Sequence, residues 1–408
     1  MKVCFKTFGC TFNQADSDAL ITLLEAAGHS ASSYCEADAV VYNTCSVKDN
    51  TQDKILYALN HEEKPVVVTG CLSQNHPDLV LEANPRAIIL SISGNAGIIH
   101  ALDSAIKGNA FDSLDNAPAK GVRVNGVVAR VRIAEGCAGD CSYCSTKLAR
   151  GNIHSYSTER VVGEVREAVS KGAVEVELCG QDAGAYGLDS GSSLAELLDE
   201  VNQVDGRFLC RVGMLNPRLA DASLWNHYHK EFKFLHAPIQ SASDSVLRDM
   251  NRPYDYSTFK SVIESFREAF PKGLVATDVI VGYPTETKED FEETLEAMHE
   301  LRFGIVNVSK YSARPGTRSA ELKKLPTEVI KERSKAASAL AREIALKENK
   351  ALIGMEFDAV VVKRGPKGGF IARTTNYRPV VIKEAKLGEF CTVKITGAGQ
   401  SHLAGELI

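Results

Sequence analysis

The chain has no long apolar run. Its uninterrupted apolar stretches are short, such as Val66–Val68 and Ala87–Leu90, where a membrane-spanning helix needs ~20 residues. Met1 to Cys10 holds Lys2 and Lys6 but not the apolar core of a signal peptide. Solenoid-type repeats and low-complexity segments are missing as well. So is a basic field over the whole molecule. The formal charge is −5, so any surface for nucleic acid must be local. These gaps predict a cytoplasmic protein without membrane attachment. The mixture of 44% hydrophobic and 24% charged residues is that of a globular protein, which excludes wholesale disorder and collagen. With 408 residues, the chain exceeds what one core supports, so two or three domains are expected.

Cysteine, by contrast, is plentiful. Eleven cysteines is an odd number and a high one for this length. Their spacing is not that of a small disulfide-stapled secreted domain. In a reducing compartment, clustered cysteines point to metal more often than to disulfides.

Hydropathy patterning divides the chain. Residues 1–108 alternate strand-like stretches (Lys2–Phe8, Ala39–Thr44, Pro65–Thr69, Ala87–Leu90) with helical ones. One helix is expected over Asp16–Ala27, with Leu20, Leu23 and Leu24 on its apolar face and Gly28 as its stop. This rhythm predicts an open α/β sheet of flavodoxin-like type. Residues 109–122 read as a linker. Six further strands are expected at Val131–Ala134, Val174–Cys179, Phe208–Met214, Phe234–Ile239, Val275–Val281 and Ile305–Tyr311. Helices between them include Arg160–Ser170, a capping box at Ser193–Glu196 and a looser one at Thr287–Asp290. Six βα units predict a partial (βα)6 barrel with its chemistry at the C-terminal strand ends. A polar helix over 329–350 leads into residues 351–408. There, period-two stretches (Phe357–Val362, Phe370–Arg373, Pro379–Ile382, Phe390–Ile395) predict a small antiparallel β barrel. The expected domains are 1–108, 123–350 and 351–408. The first carries 7 Lys/Arg against 12 Asp/Glu, and the last carries 8 against 5.

Cys137-x-x-x-Cys141-x-x-Cys144 follows the first barrel strand directly. Three thiolates this close repel one another unless a cation is shared. A structural zinc site closes with four ligands, whereas a [4Fe–4S] cluster held by three cysteines leaves one iron open. A zinc site completed from afar, or unrelated loop cysteines, is the plainer alternative. Cys10, Cys45 and Cys71 are dispersed, yet each follows a predicted strand of the first domain. Strand ends of a parallel sheet share one edge, so the three can converge there. Buried inert cysteines are the alternative, and that is the reading for Cys179, Cys4, Cys35, Cys210 and Cys391.

The Cys137/Cys141/Cys144 spacing resembles the radical S-adenosylmethionine signature. Three segments, Gly-Cys-Thr-Phe-Asn-Gln-Ala-Asp-Ser (9–17), Asn-Thr-Cys-Ser-Val-Lys (43–48) and Thr-Gly-Cys-Leu-Ser-Gln (69–74), resemble the N-terminal domain of methylthiotransferases. Residues 351–408 resemble a TRAM domain, a small RNA-binding module. Cys144-Ser-Thr-Lys-Leu-Ala-Arg-Gly151 is similar to the archaeal and eukaryotic branch acting on N6-threonylcarbamoyladenosine in tRNA. So are Gln181-Asp182-Ala-Gly-Ala-Tyr186-Gly, Arg211-Val-Gly-Met-Leu-Asn-Pro217, His236-Ala-Pro-Ile-Gln240-Ser and Arg314-Pro-Gly-Thr317. The membrane-anchoring tail of the eukaryotic version is not seen, which favours the archaeal type. The Gly-Gly-Glu-like stretch of many radical enzymes reads Cys179-Gly180-Gln181 here.

The resemblance implies two [4Fe–4S] clusters and S-adenosylmethionine. Cys137, Cys141 and Cys144 would hold the cluster that cleaves S-adenosylmethionine to a 5′-deoxyadenosyl radical. Cys10, Cys45 and Cys71 would hold an auxiliary cluster carrying transferable sulfur. The reaction implied is methylthiolation at C2 of threonylcarbamoyladenosine, next to the anticodon, giving the 2-methylthio product. Tyr143 between two cluster cysteines is a candidate to flank adenine. Gln181, Asp182, Gln240 and Asp278 at or near strand ends are candidates to bind cofactor or substrate. Lys147, Arg150, Arg252 and Arg314 are candidates to meet phosphates or carboxylates. In the last domain Lys363, Arg364, Lys367, Arg373, Arg378, Lys383 and Lys386, interleaved with Phe370 and Tyr377, are candidates for RNA. Expected partners are a tRNA anticodon stem-loop, an unidentified electron donor and a sulfur source. The competing substrates are isopentenyladenosine in tRNA and a ribosomal-protein aspartate. Outside this class, the chain would be a zinc-containing RNA-binding protein.

Overall fold

The computed structural model describes residues 1–47, 49–111 and 117–408. Near the N-terminus β1 (Lys2–Thr7), β2 (Ser30–Ala31), β3 (Ala39–Thr44), β4 (Val66–Gly70) and β5 (Ile88–Ile89) form one parallel sheet in the order β2-β1-β3-β4-β5. This is the flavodoxin-like order, and it reverses direction between β1 and β3. Every residue of β3 and β4 is buried, because apolar cores cover both sheet faces. Helix α1 spans Thr11–Ala26 and starts five residues before the expected Asp16. The extra turn is held because Phe12, Asn13 and Ala15 are buried.

The expected linker lies in part, at 112–116, outside the described residues. Its remaining C-terminal part is anchored to two cores. Ala119 joins the core of the N-terminal sheet, and Val122 joins the core of the barrel.

The six barrel strands are Val128–Arg132, Glu175–Cys179, Leu209–Val212, Phe234–His236, Leu274–Val281 and Ile305–Lys310. The first three pair in parallel, as do the last three. A Cys210–Glu231 bridge and the Leu215 N–H to His236 carbonyl bond (2.8 Å) connect the two sets into one open barrel. The first strand starts three residues before the expected Val131, where it pairs with Glu175. Helix caps depart from expectation in one respect. Ser193 accepts from the Glu196 N–H, but the Glu196 carboxylate turns to the Ser192 hydroxyl at 2.9 Å, so that box is half made. The looser sequence signal, Thr287 with Asp290, forms the complete box.

The helix Thr327–Lys350 leads into a closed barrel of five strands: Glu356–Arg364, Phe370–Thr374, Pro379–Ile382, Phe390–Ala398 and Leu403–Leu407. The last of these has no counterpart among the expected strands. This barrel docks on the larger one through Val360, Val362 and Tyr377, packed against Phe232, Phe234, Leu274 and Ala276. Among the described residues, no helix is long and apolar enough to cross a membrane.

Candidate active site

Cys10 is the N-cap of α1, Cys45 follows β3, and Cys71 opens the short helix Cys71–Asn75 after β4. All three therefore lie at the C-terminal edge of the sheet, around the β1/β3 reversal. Open α/β sheets bind ligands at that edge. Gly9 has φ +113°, and a Cβ there would sit 3.0 Å from Cys45 Cβ and 3.3 Å from its Sγ. Glycine is thus required both for the backbone and for the approach of Cys45. Cys71 feels both other thiols, and burial pushes it up to about 11.

Two buried asparagines hold this edge. Asn13 Nδ2 donates to the Thr44 carbonyl at 2.8 Å and the Phe8 carbonyl at 3.0 Å. Asn43 Nδ2 donates to the Asn13 carbonyl at 2.8 Å and Ser17 Oγ at 3.0 Å. The ends of β1, β3 and α1 are tied together, and the Cys10 thiol faces Asn13 Oδ1 at 3.6 Å. In the sequence both asparagines stand out only as letters of a motif. The signal that could have found them is an amide next to each cysteine, at positions bound to be buried.

The second triad is built the same way. Gly136 has φ +77°, and a Cβ there would lie 2.0 Å from the Asn152 carbonyl. The Cys137 Sγ accepts from the Gly139 N–H at 3.3 Å, and Cys141 Sγ accepts from Arg252 Nη1 at 3.1 Å. Burial pushes Cys137 up to about 11. Ser142 locks the loop: its hydroxyl meets the Asp249 carbonyl and the Tyr283 hydroxyl, both at 2.9 Å.

The two sites face each other. Asn75 Nδ2 donates to the Ser145 carbonyl at 2.8 Å, and Ser145 Oγ reaches the Ser46 carbonyl at 3.5 Å. Cys71 packs on Ala149 and Ile92. The seam is ionic where it is deepest. Asp16 of α1 receives Arg132 at 3.1 Å and Arg150 at 2.6 Å, and Asp18 receives Arg130 at 3.2 Å.

The remaining candidates are scattered around this seam. Tyr143 packs toward Val246, Met250, Tyr283 and Tyr311. Asp182 is buried and accepts from the Asn216 N–H at 3.0 Å, so it braces two strand-end loops. Gln181 and Gln240 each carry a buried amide oxygen with no hydrogen-bond partner. Gln240 holds φ +66°, a conformation few side chains adopt. Asp278 pairs with His236 Nε2 and Asn307 Nδ2, both at 2.9 Å. Lys147 bonds the Cys137 carbonyl, and Arg314 donates to the Val47 carbonyl at 2.8 Å.

Several residues lie where the sequence did not put them. Cys35 is exposed, in the single turn Tyr34–Glu36, and Cys391 is only half-buried. Cys179, Cys4 and Cys210 are buried. Three RNA candidates face inward. Tyr377 joins the aromatic contact with Phe232 and Phe234, Arg373 lies over Tyr377, and Arg378 donates to Asn349 Oδ1 at 2.6 Å. Lys363, Arg364, Lys367, Lys383 and Lys386 stay exposed, and Arg364 lies over the Phe370 ring at 5.4 Å.

Among the described residues, no three His, Cys, Asp or Glu side chains converge closely enough for a single ion. One tetrahedral zinc needs each sulfur at about 2.3 Å. A four-iron cube, bound through separate irons, takes thiols set further apart. Each triad also presents three thiols that burial or mutual repulsion keeps from ionising without a cation. The donor sets therefore fit clusters better than zinc.

Three family models match the chain: the uncharacterized protein family UPF0004 over residues 2–91, the radical SAM superfamily over 131–298, and the TRAM domain over 350–408. The solved structure of the radical S-adenosylmethionine methyltransferase TsrM from Kitasatospora setae has a similar fold. It has TM-score 0.58 and 14% identity, covering 78% of this chain and 74% of that one. Fold, cysteine sites and matched models together define a radical S-adenosylmethionine enzyme, a class that works with [4Fe–4S] clusters. A probable threonylcarbamoyladenosine tRNA methylthiotransferase of Archaeoglobus fulgidus is 39% identical over 100% of this chain and 99% of its own length. The corresponding Pyrococcus horikoshii protein is 37% identical over the whole of both chains. A threonylcarbamoyladenosine tRNA methylthiotransferase of Drosophila melanogaster is 32% identical over 100% of this chain and 78% of its own. The chain belongs to this family of threonylcarbamoyladenosine tRNA methylthiotransferases.

Proposed function

We propose that this chain methylthiolates C2 of N6-threonylcarbamoyladenosine in tRNA. The observation that carries the reading is the opposition of two cysteine triads across one seam, joined by the helix Ser145–Arg150. One site can serve cofactor cleavage while the other serves sulfur delivery, and the target base must reach both. When bound, the clusters and S-adenosylmethionine supply reductive cleavage and a methylated sulfur, chemistry that an unactivated aromatic C–H requires.

The chain's own residues do the rest. Cys137, Cys141 and Cys144 would hold the cofactor-cleaving cluster, and Cys10, Cys45 and Cys71 the auxiliary one. The unpartnered amide oxygens of Gln181 and Gln240 suit a ligand rich in N–H donors, as the S-adenosylmethionine ammonium is. Tyr143 would border the cofactor; Asp182 and Asp278 would act by bracing the loops and strands around it. The exposed cations of residues 351–408 would hold the anticodon stem-loop, with the base unstacked to enter the seam. The domain division 1–108, 123–350 and 351–408 assigns these three tasks in order. The electron donor and the sulfur source are separate partners.

Anaerobic reconstitution with iron and sulfide tests this reading. Wild type should take up two clusters' worth of iron and turn brown. Cys137→Ala should lose cofactor cleavage. Cys45→Ala should still cleave the cofactor but transfer no sulfur. A colourless zinc protein, or a Cys45→Ala variant with full transfer, would refute it.

A further inference from the structure

The helix Ser145–Arg150 begins beside a thiol of one triad and ends beside a thiol of the other. Cys144 is its N-cap. At the far end Arg150 has almost left solvent, its side chain 1% exposed. Its guanidinium donates Nη2 to Asp16 Oδ2 at 2.6 Å and Nη1 to Glu135 Oε1 at 2.8 Å. A longer contact runs from Nη2 to Asn13 Oδ1 at 3.3 Å, and the Phe12 ring lies 4.4 Å from the guanidinium carbon. The same group hydrogen-bonds the Cys71 thiol. A buried arginine must place its donors, and here they are shared among two carboxylates, an amide and a cysteine sulfur. A helix of six residues rises only about 9 Å, so one rigid element spans the two sites. Arg252 touches Cys141 in the first triad, but its Nε stays within the barrel, on Tyr254 Oη at 2.9 Å. Arg150 instead crosses between the barrel and the N-terminal sheet.

We propose that Arg150 is a positioning residue for the N-terminal cluster, which it seats one short helix from the first and whose reduction potential it raises through Cys71. The inference rests on the assignment of Cys10, Cys45 and Cys71 as ligands. Reduction adds negative charge to a cluster, and a charged donor on a ligating sulfur stabilises that state. Cluster potentials respond to net charge and to hydrogen bonds on the sulfurs. Lysine cannot replace this arginine fully, because one ammonium cannot span Asp16, Glu135 and Cys71 together.

The test uses full-length protein carrying Cys137→Ala, Cys141→Ala and Cys144→Ala, reconstituted so that only the N-terminal site can load. With Arg150 intact, this background should take up one cluster. No iron uptake there would overturn the ligand assignment and this inference with it. A reductive titration followed by electron paramagnetic resonance then gives the midpoint potential. Adding Arg150→Gln should move the midpoint to a more negative value at unchanged iron content, with Arg150→Lys in between. An unchanged midpoint in iron-loaded Arg150→Gln overturns the proposal and leaves the ligand assignment standing. A second readout needs no substitution of Arg150. In protein grown on 15N-arginine, pulsed resonance of the reduced cluster should show a 15N coupling, and its absence overturns the proposal even where Arg150→Gln fails to fold.

Discussion

At the scale of residues, small backbone features set the cysteine sites. Gly70 holds φ +97° in front of Cys71, and a Cβ there would lie 2.5 Å from both the Thr44 N and its carbonyl oxygen. Gly70→Ala should cost about 1–3 kcal/mol from the left-handed backbone alone. Chemical denaturation checks the loss, and iron content should fall with it. Away from the site, Glu231 is 1% exposed, and burial pushes its carboxyl up to about 7 from an ordinary 4.5. The folded state therefore holds this proton more tightly than the unfolded chain does. Its stabilising contribution is complete below about pH 4.5 and is lost as pH rises through about 7. Glu231→Gln should accordingly gain up to about 3 kcal/mol at pH 8 and little at pH 4.5. Denaturation midpoints across that range measure the difference.

At the scale of elements, caps and closing strands separate what the sequence announces from what it hides. Thr287 completes a capping box with Asp290, so Thr287→Ala should cost about 1 kcal/mol. Glu196 has no such role, since its carboxylate bonds Ser192 instead; Glu196→Ala should stay within about 0.5 kcal/mol. Thermal unfolding of the two variants side by side distinguishes them. The six barrel strands and four strands of the last barrel were legible because their apolar runs or alternation are forced by burial. Leu403–Leu407 was not, because only Leu403 is buried and Gly405 and Glu406 break any alternation. Its place comes from pairing with Pro379–Ile382 and Phe390–Ala398, which closes the barrel. The early start of α1 was hidden for a similar reason. Its first turn is held by neighbours from another part of the chain, as where Phe12 and Ala15 pack on Cys179. The six cysteines were legible from spacing and strand ends. The asparagines and arginines that hold them were not, since a buried polar side chain and an exposed one look alike in sequence. The inward turn of Arg373, Arg378 and Tyr377 makes the same point.

At the scale of the whole molecule, the N-terminal sheet and the barrel act as two halves of one site, joined by a buried ionic seam. Asp16 neutralises Arg132 and Arg150 together, with side-chain exposures of 4%, 2% and 1%. Asp16→Ala would strand two buried cations and should cost about 3–5 kcal/mol. Limited proteolysis should then cut between the two halves, and added salt should change this little because the pairs are shielded from solvent. The small barrel covers the opposite end of the larger one and leaves its basic rim exposed, on the side where a folded RNA would be held. The molecule that leaves the seam modified is the most direct readout of what the enzyme does. Reconstituted protein is given S-adenosylmethionine, a reductant and, in parallel, tRNA bearing threonylcarbamoyladenosine, tRNA bearing isopentenyladenosine, and ribosomal protein. Nucleoside and peptide mass spectrometry reads the products. A 2-methylthio nucleoside from the threonylcarbamoyladenosine tRNA alone is the expected result. Methylthiolation of isopentenyladenosine or of the ribosomal protein instead would contradict it.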